Sequence, residues 1–420
     1  MGRRLVPATM VAAALALMVA ATTATMVPYR PTWWKGAVAL AILGGIAPMI
    51  YAINIRIVPV FSTRKWRSEP ALRAQVVLAV AGAWGIFAGE LGRSDALVRL
   101  GSFSAFLGGL LFMVNIMRLF RQPAGATPPL PLPYPHQARV DKYATHFTRL
   151  SGLYLVVGLA IGVLLSWWTP ASGRWELVWA HTLLVGFFLS MAAGVCYHVF
   201  ARWTNKRWRW LGGIRLHLML VTLGLPLMLA ALATNDTSLF ALAGPVQAAA
   251  LALFLFNVAP MVTGLPLLTR VALIAAGALL LVGIGLGATF AIDPALGARL
   301  RLTHATLNLF GWTGLLISGM GYYLAPRFLG RPLRWRWLAW LQIVCLTVGA
   351  LGGAGALARW TTDGSMRPLV VIALALVALS FACFGAIVAG TALTRISAGG
   401  TVGLVQMPAG PRIRLHKRAS

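Results

Sequence analysis

Gly186-Phe-Phe-Leu-Ser-Met-Ala-Ala-Gly194-Val-Cys-Tyr197-His-Val-Phe-Ala-Arg202 and Gly311-Trp-Thr-Gly-Leu-Leu-Ile-Ser-Gly319-Met-Gly-Tyr322-Tyr-Leu-Ala-Pro-Arg327 are two copies of one pattern. In both, glycines stand sixteen and eight residues before an arginine, and a tyrosine stands five before it. A third, shorter copy, Tyr51-Ala-Ile-Asn-Ile-Arg56, keeps the tyrosine and the arginine. Each copy closes an apolar stretch of membrane-crossing length. Three matches at corresponding helix ends mean that one ancestral membrane unit was copied, so the architecture is counted before any chemistry is assigned.

Of the 420 residues, 59% are hydrophobic and 10% charged. A globular chain carries charge on about a quarter of its residues. Twelve stretches reach the ~20 residues that a helix needs to cross a bilayer core. They lie near 5–27, 36–57, 73–92, 100–119, 149–168, 177–200, 213–234, 238–259, 268–291, 301–325, 336–358 and 368–392. Period-two alternation is absent, and an open sheet would strand its edge hydrogen bonds in lipid, so these are predicted to be helices. Arg3 and Arg4 ahead of an apolar run ending in Ala-Thr-Thr-Ala have the layout of a secretory leader. The run exceeds the usual ~7–15 residues of a leader core. With an even helix count favoured by the charge bias, residues 1–27 are read as helix 1.

The formal net charge of +28 is placed by topology rather than by nucleic acid. Basic residues crowd the ends that follow even-numbered helices, as in Arg64, Lys65 and Arg67, in Arg202, Lys206, Arg207 and Arg209, in Arg327, Arg331, Arg334 and Arg336, and in the tail after 396. The opposite loops hold fewer. This bias predicts a bacterial-type inner membrane protein with even-numbered ends and both termini in the cytoplasm, its basic clusters against anionic lipid. Tryptophans such as Trp33, Trp34, Trp167, Trp168, Trp203, Trp208 and Trp210 are expected to mark the two interfaces. Cys196, Cys345 and Cys383 have no paired spacing and read as packing residues.

The proline-rich stretch 123–148 is expected to be an extended cytoplasmic linker. The signature arginines close helices 2, 6 and 10, which predicts three four-helix repeats: 1–122, 149–262 and 263–395, followed by a basic tail, 396–420. The copies are parallel, since an even number of helices separates them. The glycines read as packing positions. The tyrosines and arginines read by default as interfacial anchors.

Eight acidic residues are present and none falls mid-span in this reading. Proton or cation pumping would call for an intramembrane carboxylate, so it is disfavoured. No phosphate loop, nucleophile elbow or zinc-protease motif appears. Histidine remains. His136 and His416 lie in the linker and tail, His146 before helix 5, and His198 and His217 near inner ends, where water and headgroups satisfy them. His181 and His304 lie a turn inside the outer ends of helices 6 and 10, 21 and 23 residues before their arginines. At ~1.5 Å per residue they share a depth, and imidazole is a common ligand of haem iron and copper. The offset of two positions rotates one by ~200° relative to its copy, so hydrogen bonding to neighbouring helices competes with ligation as their role.

Arg301-Leu-Thr-His304-Ala-Thr-Leu-Asn308-Leu-Phe-Gly311-Trp312, with Gly319, Tyr322 and Pro326-Arg327-Phe328 behind it, resembles helix 10 of the haem-copper oxidase subunit I superfamily. The nearer likeness is to its nitric-oxide-reductase and C-type oxidase members. His181-Thr-Leu-Leu-Val-Gly186-Phe-Phe and Arg56-Ile-Val-Pro59-Val-Phe61 are more similar to the NnrS family, twelve-helix membrane proteins associated with haem, copper and nitric oxide stress. The likeness spans helices 2 to 12 in layout and is motif-specific at helices 2, 6 and 10. It implies an all-α integral membrane fold of three four-helix arcs. It also implies His304 as a haem ligand and His181 as a second ligand, for haem or copper. The departures are specific. Thr306 stands where the oxidase pattern has a second histidine, residues 36–57 hold no low-spin haem histidine, and 218–234 lack the copper pair. A full terminal oxidase reaction is therefore not expected. The expectation is a haem-binding protein, with copper as a second candidate metal, acting on nitric oxide or another diatomic gas. The alternative is a metal-free small-solute transporter or accessory membrane subunit on the same fold.

Overall fold

The computed structural model describes residues 4–123, 125, 131–168 and 173–394, so the expected basic tail and part of the linker lie outside the described residues. Among those residues every regular element is helical. The helices are α1 (Leu5–Thr25), α2 (Trp33–Ser62), α3 (Glu69–Gly92), α4 (Asp95–Phe120), α5 (Gln137–Trp167) and α6 (Arg174–Thr204). They continue as α7 (Leu211–Thr234), α8 (Thr237–Val262), α9 (Leu267–Ile292), α10 (294–329), α11 (Arg336–Trp360) and α12 (Arg367–Leu393). All except α10 meet both the length and the hydropathy of a membrane span, and α10 is a further rod of crossing length.

Burial sorts the helices into two layers. The most apolar windows of α2 and α6 are 89% and 72% buried, against 22–56% for the other spans. In α10, residues from Thr306 to Ala325 are buried almost without a break. The three signature helices thus form the interior, and the other nine surround them. Around that outer layer α3 packs on α4, α4 on α5, α7 on α8, α8 on α9 and α11 on α12, and α12 returns to α1. The outward faces expose Leu100, Val77, Leu223 and Ile372, as lipid-facing helices do.

Glycine sets the closest approaches. A Cβ on Gly82 of α3 would lie 2.4 Å from the backbone nitrogen of Ala105 on α4, and one on Gly101 would lie 2.5 Å from that of Ile86. Only glycine permits such backbone contact, which supplies the dispersion energy that lipid cannot. Helix ends are closed locally. Ser68, Ser94, Asp236 and Asp293 accept backbone N–H bonds as N-caps, which gives two of the terminal carboxylates a structural role. The signature helices end on left-handed residues, Thr63, Asn205 and Gly330.

Each signature helix also contains a π-helical segment: Leu40–Ile46, Thr182–Leu189 and Thr306–Trp312. Most serine and threonine hydroxyls inside α-helices here bond carbonyls three or four residues back, and others, such as Ser104, Ser151 and Thr303, bond a carbonyl of a neighbouring helix. Thr313 Oγ1 instead donates to Asn308 O, five back, at 2.8 Å, and Ser190 Oγ to Val185 O at 3.5 Å. The wide turn spaces those carbonyls for a five-residue reach.

Several expectations change. Helix α5 begins at Gln137 rather than near 149, because Gln137 is buried and bonded to Asp141, Tyr197 and Trp208, so the second half of the expected linker is helix. Tyr51, Tyr197 and Tyr322 are 1%, 0% and 5% exposed and therefore are core residues, not interfacial anchors. His217 is buried too, its Nδ1 2.9 Å from the Tyr197 hydroxyl. Trp208, expected at an interface, is buried with its indole N–H donating to Gln137.

Candidate functional site

His181 ends the α-helical start of α6, immediately before its π segment, and His304 stands two residues before the π segment of α10. Residue counting at ~100° per residue does not run through a π turn, so the offset of two positions carries no fixed rotation. The two imidazoles meet. Their ring centres are 6.4 Å apart and their planes differ by 19°. No extended backbone packing joins α6 to α10, so the rings span the space between the two helices.

The two rings are held differently, His181 by its own helix and His304 by both α10 and α9. His181 Nδ1 lies 2.8 Å from Leu177 O, which can only accept, so this nitrogen carries the proton and Nε2 keeps its lone pair. A histidine fixed in this way by a backbone carbonyl is oriented as metal-ligating histidines are. His304 Nδ1 lies 3.4 Å from Asn308 Nδ2, whose N–H donates to the His304 carbonyl at 2.9 Å, and the His304 ring hydrogen-bonds the Gly283 carbonyl of α9, which can only accept. Two glycines of α9 make room for this pair. A Cβ on Gly287 would stand 3.2 Å from His304 Cε1, and one on Gly283 would stand 2.4 Å from the Asn308 amide. The Phe290 ring leans on His304 at 5.4 Å.

Deeper along the interior, aromatic pairs link the signature helices: Phe188 with Trp312 at 5.2 Å, and Trp34 with Phe310 at 6.4 Å. Two buried polar atoms near the histidines lack a hydrogen-bond partner, Trp179 Nε1 and Thr306 Oγ1. Among the described residues no group of three His, Cys, Asp or Glu side chains gathers anywhere. A protein-ligated copper centre with three side-chain donors is therefore not formed by those residues. A metal ion flanked by two imidazoles, each nitrogen about 2 Å from it, sets ring centres on the order of 6 Å apart. Two imidazoles would suffice as the protein's ligands to a haem iron. The donor set thus fits haem and falls short for copper.

At the opposite end lies a polar cluster that sequence reading missed. Arg202 holds Asp141 through two bonds, of 3.0 and 2.6 Å, His198 Nδ1 reaches the same carboxylate at 3.1 Å, and Gln137 donates to it at 2.8 Å. The available signal was the spacing of Gln137 and Asp141, one helical turn apart. It was obscured by the prolines just before, which made the segment read as linker. The buried tyrosines form a second missed set: Tyr197 with His217 and Tyr322 with Gln342, the latter also at 2.9 Å, each partner twenty residues on.

No family model matches the chain, and no curated protein matches it. Among solved structures, it is similar to one described as a heme-copper terminal oxidase dimer. The TM-score is 0.71 at 14% sequence identity, over 94% of this chain and 85% of that one. At that identity the likeness concerns the fold. The chain is a multi-pass membrane protein with a heme-copper-oxidase-like fold.

Proposed function

We propose that this protein binds one haem between α6 and α10, held by His304 and His181, and serves a response to nitric oxide or another diatomic gas. The observation that carries the reading is the pair of nearly parallel imidazoles, 6.4 Å apart, one fixed by Leu177 O of its own helix and the other by α9. Haem bound there would supply reversible binding of a diatomic gas and one-electron chemistry. The chain's own residues would orient the site. Leu177 O holds the tautomer of His181, Asn308 positions His304, and Gly283 and Gly287 keep space for both.

The wider frame belongs to the same proposal. The chain is read as three parallel four-helix units, 1–122, 149–262 and 263–395, with the arginine ends in the cytoplasm. Its support is the π segment, the buried tyrosine and the left-handed terminus common to α2, α6 and α10. Resemblance to the NnrS family supports the link to nitric oxide. A metal-free transporter or accessory subunit is the second reading. The aromatic pairs filling the interior below the histidines and the missing third donor favour it. Haem and metal analysis of purified protein, expressed with adequate haem supply, separates the two. One haem per chain that is lost in His304→Ala supports the first; protein free of haem, iron and copper supports the second.

A further inference from the structure

A cavity of 630 Å³ opens at the arginine end between α2 and α10, with Trp203 of α6 on its wall. That volume is typical of a small-molecule cleft. Three cations line it: Arg56, Lys65 and Arg327. The rest of the lining is apolar or aromatic, including Ile57, Val60, Trp66 and Phe328.

The construction of this cavity is specific. Pro59 has no N–H to give the carbonyl of Ile55, four residues back, and the Trp66 indole N–H donates to that carbonyl at 2.8 Å. The bond lays the loop after α2 along the cavity. Arg56 Nη2 donates to Phe328 O, one of the last carbonyls of α10, at 2.7 Å, which ties the two helix ends together. Arg327 is held by its bond to Tyr323 O and by stacking 3.5 Å over the Tyr323 ring. The third signature arginine behaves differently. Arg202 is neutralised by Asp141, whereas no described carboxylate lies within ion-pair distance of Arg327 or Lys65.

We infer that this cavity binds the phosphate headgroup of an anionic phospholipid, with an acyl chain along its aromatic wall. Water can satisfy the N–H donors but brings no charge, and an apolar occupant leaves Lys65 and Arg327 without a counter-charge among the described residues. A phosphate diester with hydrocarbon tails meets both surfaces. Guanidinium groups take phosphate by paired charge-assisted bonds, and the lysine adds a point charge. A position at the end of membrane-crossing helices puts the cavity at headgroup depth. The site is independent of any haem.

Delipidated full-length protein is titrated with short-chain phosphatidylglycerol, short-chain phosphatidylcholine and inorganic phosphate, with retained ligand counted by native mass spectrometry. Phosphatidylglycerol is expected to bind at least about tenfold more tightly than phosphatidylcholine, and inorganic phosphate is expected to compete only weakly. The double variant Lys65→Gln, Arg327→Gln is expected to abolish the preference. Val60→Trp fills the cavity without changing charge and serves if the double variant does not fold; it is expected to weaken phosphatidylglycerol binding by a similar factor. Equal binding of the two lipids overturns the proposal. Inorganic phosphate binding as tightly as phosphatidylglycerol overturns the lipid as its source, and unchanged binding in Val60→Trp overturns the location.

Discussion

At the scale of single residues, buried hydrogen bonds substitute for water. Tyr197→Phe removes the hydroxyl that meets the buried Nδ1 of His217, so it is expected to cost about 1 kcal/mol in thermal unfolding, the ordinary worth of such a bond in a membrane protein. Arg202→Ala leaves Asp141 with His198 and Gln137 alone. Because the Arg202 side chain is 9% exposed, the loss is expected to reach on the order of 3 kcal/mol, read from the same unfolding curves. Gly283→Ala drives a methyl into the Asn308 amide. It is expected to displace His304 and lower haem content, while leaving the arginine-end lipid preference unchanged. The sequence placed both key imidazoles at one depth, since depth follows from counting residues along a rod. Whether they faced each other was not legible, because facing depends on π turns that no composition signal marks. The tyrosines misled for a related reason. Tyr at a helix end ordinarily anchors at headgroups; a partner twenty residues later, on the next helix, draws Tyr197 and Tyr322 inside, and Tyr51 is drawn in by packing on Phe112.

At the scale of helices, the three signature rods share more than their motif. Each has a π segment, and a π turn occupies an extra residue that must be held by packing or by a hydroxyl. Thr313→Val removes the five-residue bond to Asn308 O while keeping shape. The expected result is a loss of about 1 kcal/mol together with a shifted haem spectrum, since Asn308 also supports His304. A stability change with an unaltered spectrum would separate the π turn from the site. The α3–α4 pair makes a second test. Gly82→Val meets backbone atoms rather than side chains that can move, so it is expected to prevent stable folding, checked by recovery of monodisperse protein in detergent. Most spans were legible from hydropathy, because lipid imposes length and apolarity on its rods, whereas α10, the least apolar of them, was legible from its copy of the signature. The start of α5 was not, since a proline-rich approach hides a helix whose first turns are polar and paired.

At the scale of the whole molecule, nine helices enclose three, and the functional groups sit where the inner three come close. The histidines occupy one end and the cationic cavity the other, with aromatic pairs between them. On the proposed reading, haem and lipid would be held at opposite ends. The likeness to a heme-copper terminal oxidase, at 14% identity, is one of fold. The most direct test is the absorbance spectrum of haem-loaded protein in its ferric and ferrous states, taken for the native chain, His304→Ala and His181→Ala. Two imidazoles on one iron predict a low-spin spectrum in the native protein, no bound haem in His304→Ala, and a high-spin, carbon-monoxide-binding spectrum in His181→Ala. A native-like spectrum in His181→Ala would contradict the shared iron.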